Sequence, residues 1–217
     1  MKPLRPGTRI VTIGDSITDA GRNQPVGTAG SGLGSGYVAL LNAFALARKP
    51  ELGLVFLNTG TSGHTVRDLA DRWQRDVFDL NPGVVTVMIG TNDVWRQFDS
   101  PLFPAGHVLP DEYESTLREL TKQTTARGIE VLLATPFYLE PNAADAMRTK
   151  MDEYGAIVKA ISSEFGTDFL DTQALFTNFL DHYYPAAMCW DRVHPNLAGS
   201  VMLAEGFAGV LGFGSSL

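Results

Sequence analysis

Short apolar runs alternate along the chain with longer stretches in which apolar residues return every three or four positions. Five runs have the length and β-branched content of strands: Arg9–Ile13, Leu54–Asn58, Val84–Ile89, Glu130–Ala134 and Asp168–Leu170. The third, within VVTVMIG, is almost continuously apolar, as a parallel strand covered on both faces should be. Between the runs, helices are predicted over Gly36–Arg48, Val66–Leu80, Asp111–Arg127, Ala146–Phe165 and Asn196–Val210. In the second of these, Val66, Leu69, Trp73, Val77 and Leu80 share one face. Gly128 and Gly166 read as the residues that close the third and fourth. Regular strand–helix alternation implies right-handed crossovers and a mostly parallel five-stranded sheet with helices on both sides, a three-layer α/β/α sandwich. No linker, repeat or low-complexity tract interrupts it, so residues 1–217 read as a single domain. Gly21–Ser35, Arg96–Pro110 and Tyr183–Val193 read as irregular.

Composition narrows the classes. A chain of 217 residues with 44% hydrophobic and 19% charged residues has the make-up of a globular protein. A chain this long buries roughly 70% of its unfolded surface, so its core needs no staples. The net charge of −7 argues against a nucleic-acid partner, whose phosphates call for a basic face. A lone cysteine, Cys189, cannot form an internal disulfide; it reads as a buried structural thiol and points to a reducing, cytoplasmic compartment. MKPLRPGTR lacks the apolar core of a signal peptide, and no run approaches the ~20 apolar residues of a membrane span. No His/Cys cluster or H-E-x-x-H suggests a metal. GSGLGSG (Gly30–Gly36) lacks the spacing and the preceding strand of a nucleotide-binding loop, so no cofactor is expected and the stretch reads as a flexible loop.

In open α/β sheets, ligands bind beyond the carboxyl ends of the strands. Three polar clusters stand there: Gly14-Asp15-Ser16, Asn58-Thr59-Gly60 and Gly90-Thr91-Asn92-Asp93. Ser16 could be a nucleophile or a helix cap. Asn92 and Gly60 could donate to an oxyanion through a side-chain amide and a closely approached backbone N–H, or could be turn residues. In WDRVHPN, Asp191 stands three residues before His194. An acid at that spacing can orient an imidazole base; equally, the segment could simply open a helix with Pro195 at its first position. Trp95, Arg96, Phe137 and Tyr138 follow strand ends and could wall a pocket or could be local packing. Tyr183, Tyr184 and Trp190 could serve a subunit contact.

The blocks GDSI, NTGTSG, GTND and DRVHPN, in that order, resemble the GDSL/SGNH hydrolase family, across essentially the whole chain. Ile17 stands where the family name has leucine. The resemblance implies a flavodoxin-like SGNH hydrolase fold. It also implies Ser16 as nucleophile, His194 as base and acid oriented by Asp191, and an oxyanion hole of Ser16 N–H, Gly60 N–H and the Asn92 side chain. Longer stretches, including GDSITDAGR, SGHTVRDLADRW, NDVWRQFD, TPFYLEPN and YPAAMCWDRVHPN, look like the bacterial intracellular acetylxylan esterases of that family. This closer resemblance implies an acetylated carbohydrate substrate and a homo-oligomer beyond a dimer. Asp15 and Trp190 are further candidates for the pocket. A broad carboxylesterase, thioesterase or lysophospholipase on the same fold is the nearest alternative. A non-catalytic flavodoxin-like ligand-binding module is a more distant one. The elbow motif G-x-S-x-G of α/β-hydrolases is absent.

Overall fold

The computed structural model describes residues 2–214. Five strands form one sheet: β1 (Arg9–Gly14), β2 (Val55–Asn58), β3 (Val84–Met88), β4 (Glu130–Ala134) and β5 (Asp168–Leu170), in the order β2-β1-β3-β4-β5. Every pairing is parallel, with Val11 opposite both Leu57 and Val85, and Thr86 opposite Leu132. All five strands lie where the hydrophobic pattern predicts, within a residue at each end. β1 and β3 are buried along nearly their whole length, which is why their sequences are continuously apolar rather than alternating.

Eight α-helices accompany the described strands: α1 (Ser16–Asp19), α2 (Tyr37–Arg48), α3 (Val66–Asp76), α4 (Thr91–Asp99), α5 (Pro110–Thr125), α6 (Ala146–Phe165), α7 (Thr172–Leu180) and α8 (Leu197–Leu211). α2 packs on α8, with Tyr37 stacked on Phe207, while α5 packs against α3 and α6. The result is the α/β/α sandwich the pattern implies, flavodoxin-like in strand order. α6 has the predicted bounds and closes at Gly166, whose φ of 63° lies in the left-handed region.

Several expectations need correction. The segment 66–80 is helical only to Asp76; a 3₁₀ turn, Phe78–Leu80, follows. α5 ends at Thr125, before Gly128. α8 starts at Leu197, because Asn196 caps it by accepting the N–H groups of Ala198 and Gly199; Pro195 therefore stands outside the helix. The periodicity does not announce α1, α4 or α7, and α1 is a single turn with no period to read. The opening polar residues of α4 mimic a turn, and α7 buries only Thr172, Gln173 and Phe176, too few for a clear stripe. The Gly30–Gly36 stretch is fastened rather than loose: Leu33 is fully buried, and its carbonyl accepts from Asn58 Nδ2.

The chain leaves β1 to form β2 on one side and returns to form β3 on the other. The crevice at the carboxyl ends of β1 and β3 lies at this reversal. Gly14 makes the exit from β1 possible. A Cβ there would lie 2.3 Å from the carbonyl oxygen of Met88 and 2.5 Å from Thr18 Oγ1, so α1 can fold back onto β3 only over a glycine.

Candidate active site

Ser16 is the first residue of α1, capped by Asp15, whose Oδ1 accepts the N–H of Ile17 at 3.0 Å. Asp15, not Ser16, is thus the cap, and the Ser16 side chain is left to other work. Its Oγ lies 2.8 Å from His194 Nε2. On the far side of the ring, Nδ1 lies 2.6 Å from Asp191 Oδ2. With Nδ1–H donated to the carboxylate, Nε2 holds the lone pair and accepts from the serine hydroxyl. Asp191 Oδ1 accepts the backbone N–H groups of Val193 (3.0 Å) and His194 (2.8 Å). Burial alone would lift the Asp191 carboxyl, but the hydrogen bonds from the His194 ring and from these N–H groups outweigh it and hold it below its ordinary value.

The turn carrying this pair is braced from β4's side. Arg192 adopts a left-handed φ of 68°, gives its carbonyl to the N–H of Leu139, and pairs with the nearly buried carboxylate of Glu140. Asn196 closes the other end, donating its N–H to the carbonyl of Met188. Glu140 and Arg192 carry no visible signal in the sequence because they lie 52 residues apart.

The second wall of the site is the loop after β2. Thr61 donates its N–H to the carbonyl of Gly14, and Ser62 donates its N–H and hydroxyl to Asp19 Oδ2 on α1. On the opposite side, Asn92 Nδ2 donates to the carbonyl of His64 at 3.0 Å. Gly63 therefore stands between the helix that carries Ser16 and the helix that carries Asn92. Gly63 is exposed, and its N–H has no acceptor among the described residues. Asn92 itself is buried, its Oδ1 lies 3.4 Å from Arg96 Nη2, and Nδ2 has no acceptor besides His64 among the described residues, so its second N–H is uncommitted.

Gly60 differs from expectation. Its N–H is donated to Asn58 Oδ1 at 2.9 Å, inside the fold. A Cβ at Gly60 would lie 2.3 Å from the N of Asp19 and 2.6 Å from the carbonyl carbon of Thr18. Gly60 is a close-packing glycine under α1, and the available donor on this loop is Gly63. Both glycines belong to the same NTGTSG block, and only tertiary contacts tell which N–H is free.

Two side chains to which the sequence analysis assigns no role support these loops. Asn58 donates to the carbonyls of Thr18 and Leu33. Arg72, almost fully buried on α3, donates to the carbonyls of Gly14 and Thr59 and pairs with Asp76 at 2.8 Å. The i,i+4 spacing of Arg72 and Asp76 is the one signal the sequence offers for that pair.

The six residues predicted for the pocket are scattered. Trp95 lies beside the site, its ring 6.0 Å from that of His194, and Arg96 touches Asn92 and pairs with Asp99. Phe137 is wholly buried against Phe176 and packs the core instead of a pocket wall. Asp15 is buried beneath the nucleophile. Tyr138 is half-buried and donates its backbone N–H to Gln173. Trp190 is 79% exposed, and Tyr183 and Tyr184 are also exposed. The open cleft beside Ser16 and His194, of about 310 Å³, is lined instead by Ile17, Ala20, Ser35, Asn196 and Leu197, among others. Cys189 is fully buried, and burial, with the Asp191 charge, pushes its thiol up to about 12; it is inert as a nucleophile. Among the described residues, no helix is long and apolar enough to cross a membrane.

Known proteins resemble this chain in sequence and in fold. The GDSL-like Lipase/Acylhydrolase family profile matches residues 12–201. An acetylxylan esterase from Geobacillus stearothermophilus is 50% identical over 208 residues, covering 95% of each chain. The crystal structure of Axe2, an acetylxylan esterase from the same organism, superposes with a TM-score of 0.95 at 48% identity, covering 100% of both chains. LAE5, described as an alpha/beta hydrolase enzyme from the metagenome of Lake Arreo, is 50% identical with a TM-score of 0.95 over 98% of each chain. Axe2 has also been solved as variants described as catalytic mutants, with a serine, a histidine or an aspartate replaced by alanine.

Proposed function

This chain belongs to the GDSL-like lipase/acylhydrolase family and is a carboxylic ester hydrolase, and from that premise we propose that it removes O-acetyl groups from xylo-oligosaccharides by way of an acetyl-enzyme on Ser16. The observation that carries this reading is the unbroken line of hydrogen bonds from Ser16 Oγ through His194 to Asp191. His194 Nε2 takes the hydroxyl proton as Oγ bonds to the ester carbonyl carbon. The resulting oxyanion is held by the N–H groups of Ser16 and Gly63 and by the Asn92 amide. Asp191 stabilises the imidazolium and stays ionised. His194 then protonates the departing sugar oxygen as its bond to the acetyl carbon breaks. Water repeats the sequence on the acetyl-enzyme and releases acetate.

The relatives named as acetylxylan esterases support the choice of acyl group and sugar. Ser35 lines the cleft beside His194, and its Oγ, which donates to the carbonyl of Ala20, can still accept from a hydroxylated leaving group. The exposed aromatic group Tyr183, Tyr184 and Trp190 supports a homo-oligomer in which that surface is covered. The lone buried cysteine is compatible with a cytoplasmic protein. The test is acetate release from acetylated xylo-oligosaccharides, with S16A as control and acetyl against octanoyl p-nitrophenyl esters as a second axis. The expected result is release that disappears in S16A and a rate that collapses with acyl length. Equal turnover by S16A would remove the nucleophile assignment, and a rate independent of chain length would favour a broad carboxylesterase.

A further inference from the structure

Asp93 follows Asn92 in the first turn of α4, and the acyl-transfer steps do not use it. Its carboxyl is wholly buried. Oδ1 accepts the N–H of Val66 at 2.9 Å, and Oδ2 has no partner among the described residues. Val66 is the first residue of α3, so one carboxyl sits at the N-terminal ends of two helices, its own and α3. Asn92 meanwhile donates to the carbonyl of His64. Two neighbouring side chains of α4 thus grip residues 64–66 through two bonds of opposite sense, directly after Gly63.

We propose that Asp93 is a positioning residue of the oxyanion hole: its bond to the Val66 N–H fixes the separation between the Gly63 N–H and the Asn92 amide. The inference rests on the acyl-transfer reading. Both donors must come within hydrogen-bond reach of one oxygen, a demand on their separation of a few tenths of an ångström. Thr61 and Ser62 hold one end of the loop to β1 and α1, while the Asn92–His64 bond ties its other end to α4 at a single point; the Asp93–Val66 bond, two residues along, is the second tie on that side and fixes its distance from Asn92. Capping of α3 is shared: Asp68, from within the helix, accepts the N–H and the hydroxyl of the cap residue Thr65, whereas Asp93 takes the next N–H, that of Val66, from another element, so this second cap also ties α3 to α4. Local packing alone does not call for a carboxyl, since an apolar side chain would fill the space without burying an unpaired oxygen.

The experiment compares kcat and KM for p-nitrophenyl acetate in wild type, D93N, D93L and S16A, with circular dichroism and thermal melting as the check on folding. D93N keeps an acceptor for Val66 and is expected to retain most of kcat. D93L keeps the branch at Cγ, with two bulkier methyl groups in place of the oxygens, but no acceptor, and is expected to lose kcat on the order of 100-fold with little change in KM, the loss typical of donors displaced by about 1 Å. Equal kcat in folded D93L and wild type overturns the proposal, as does an equal loss in D93N and D93L, or a parallel worsening of kcat and KM. Should D93L fail to fold, D93A takes its place beside D93N with the same outcomes. The control separates the two readings. Turnover retained in S16A removes the acyl-transfer mechanism itself, whereas a dead S16A beside an unaffected D93L removes only the positioning role.

Discussion

The carboxyls nearest the nucleophile divide by environment. Burial pushes Asp15 up to about 6, against lowering by its bond with Ile17 and by His194. Burial pushes Asp93 up to about 7, with Asp15 and Asp68 adding to the rise and the Val66 N–H opposing it. Asp191 moves the other way, held low by the bonds it accepts. These shifts have opposite consequences for stability. For Asp93, whose ordinary value is 3.8, the folded chain binds a proton that the unfolded chain has lost between there and about 7, so its contribution falls as pH rises through that window. For Asp191 the contribution is present above its unfolded value and is lost as pH falls toward its lower folded value. Replacing Asp93 with Asn removes the first effect only. The melting temperature of D93N relative to wild type should therefore rise steadily between about pH 4 and about pH 7. A difference that is flat or falls over that range would show that burial does not govern this carboxyl.

At the level of elements, the site is made by short pieces held at their ends. α1 is only four residues long, too short to be stable alone, and is fixed by what it leans on: Gly14 behind it, Gly60 beneath it and Asp19 latched to Ser62. This gives a test of the two meanings of Gly60. G60A keeps the backbone N–H, so a direct role for that group would survive the change. The close packing under Thr18 and Asp19 would not, because the added methyl meets backbone atoms at 2.3 Å and α1 must move. The expected result is a melting temperature several degrees lower, about 1–3 kcal/mol as for overpacking in general, together with loss of kcat. Unchanged stability and activity in G60A would mean that the loop yields easily. The helices that escape sequence reading, α1, α4 and α7, are a single turn or have buried faces that are small or polar, so their stability comes from the neighbours they meet rather than from a repeating stripe.

For the molecule as a whole, the strand order sets the place of the chemistry, and the surface around it sets the company it keeps. Tyr183, Tyr184 and Trp190 are 61%, 65% and 79% exposed, on the segment that leads into the Asp191–His194 turn. Large aromatics left in water so close together are unusual on a monomer and typical of the centre of an interface. Sedimentation velocity of the wild type should show an assembly larger than a dimer, and replacing the three aromatics with serine should shift it to smaller species. A wild-type chain that sediments as a monomer would remove the proposal of a homo-oligomer.

The sequence by itself determined the five strands, the bounds of α6 and the parallel α/β layering, and it singled out Ser16, Asn92, Asp191 and His194 as the side chains to bring together. Strands buried on both faces are continuously apolar, and polar residues at their carboxyl ends then stand out against that background. The Asp-x-x-His spacing is local, so the pairing of Asp191 with His194 was legible too. What only the tertiary structure decided was which backbone groups remain free. Whether Gly60 or Gly63 has an N–H to offer depends on Asn58, Asp19 and Asn92, which reach the loop from three different elements. The burial of Phe137, the exposure of Trp190 and the braces from Arg72 and Glu140 likewise depend on partners distant in the chain. A residue's type and its neighbours in sequence state what it can bond to; only the packed fold states which of those bonds have already been made.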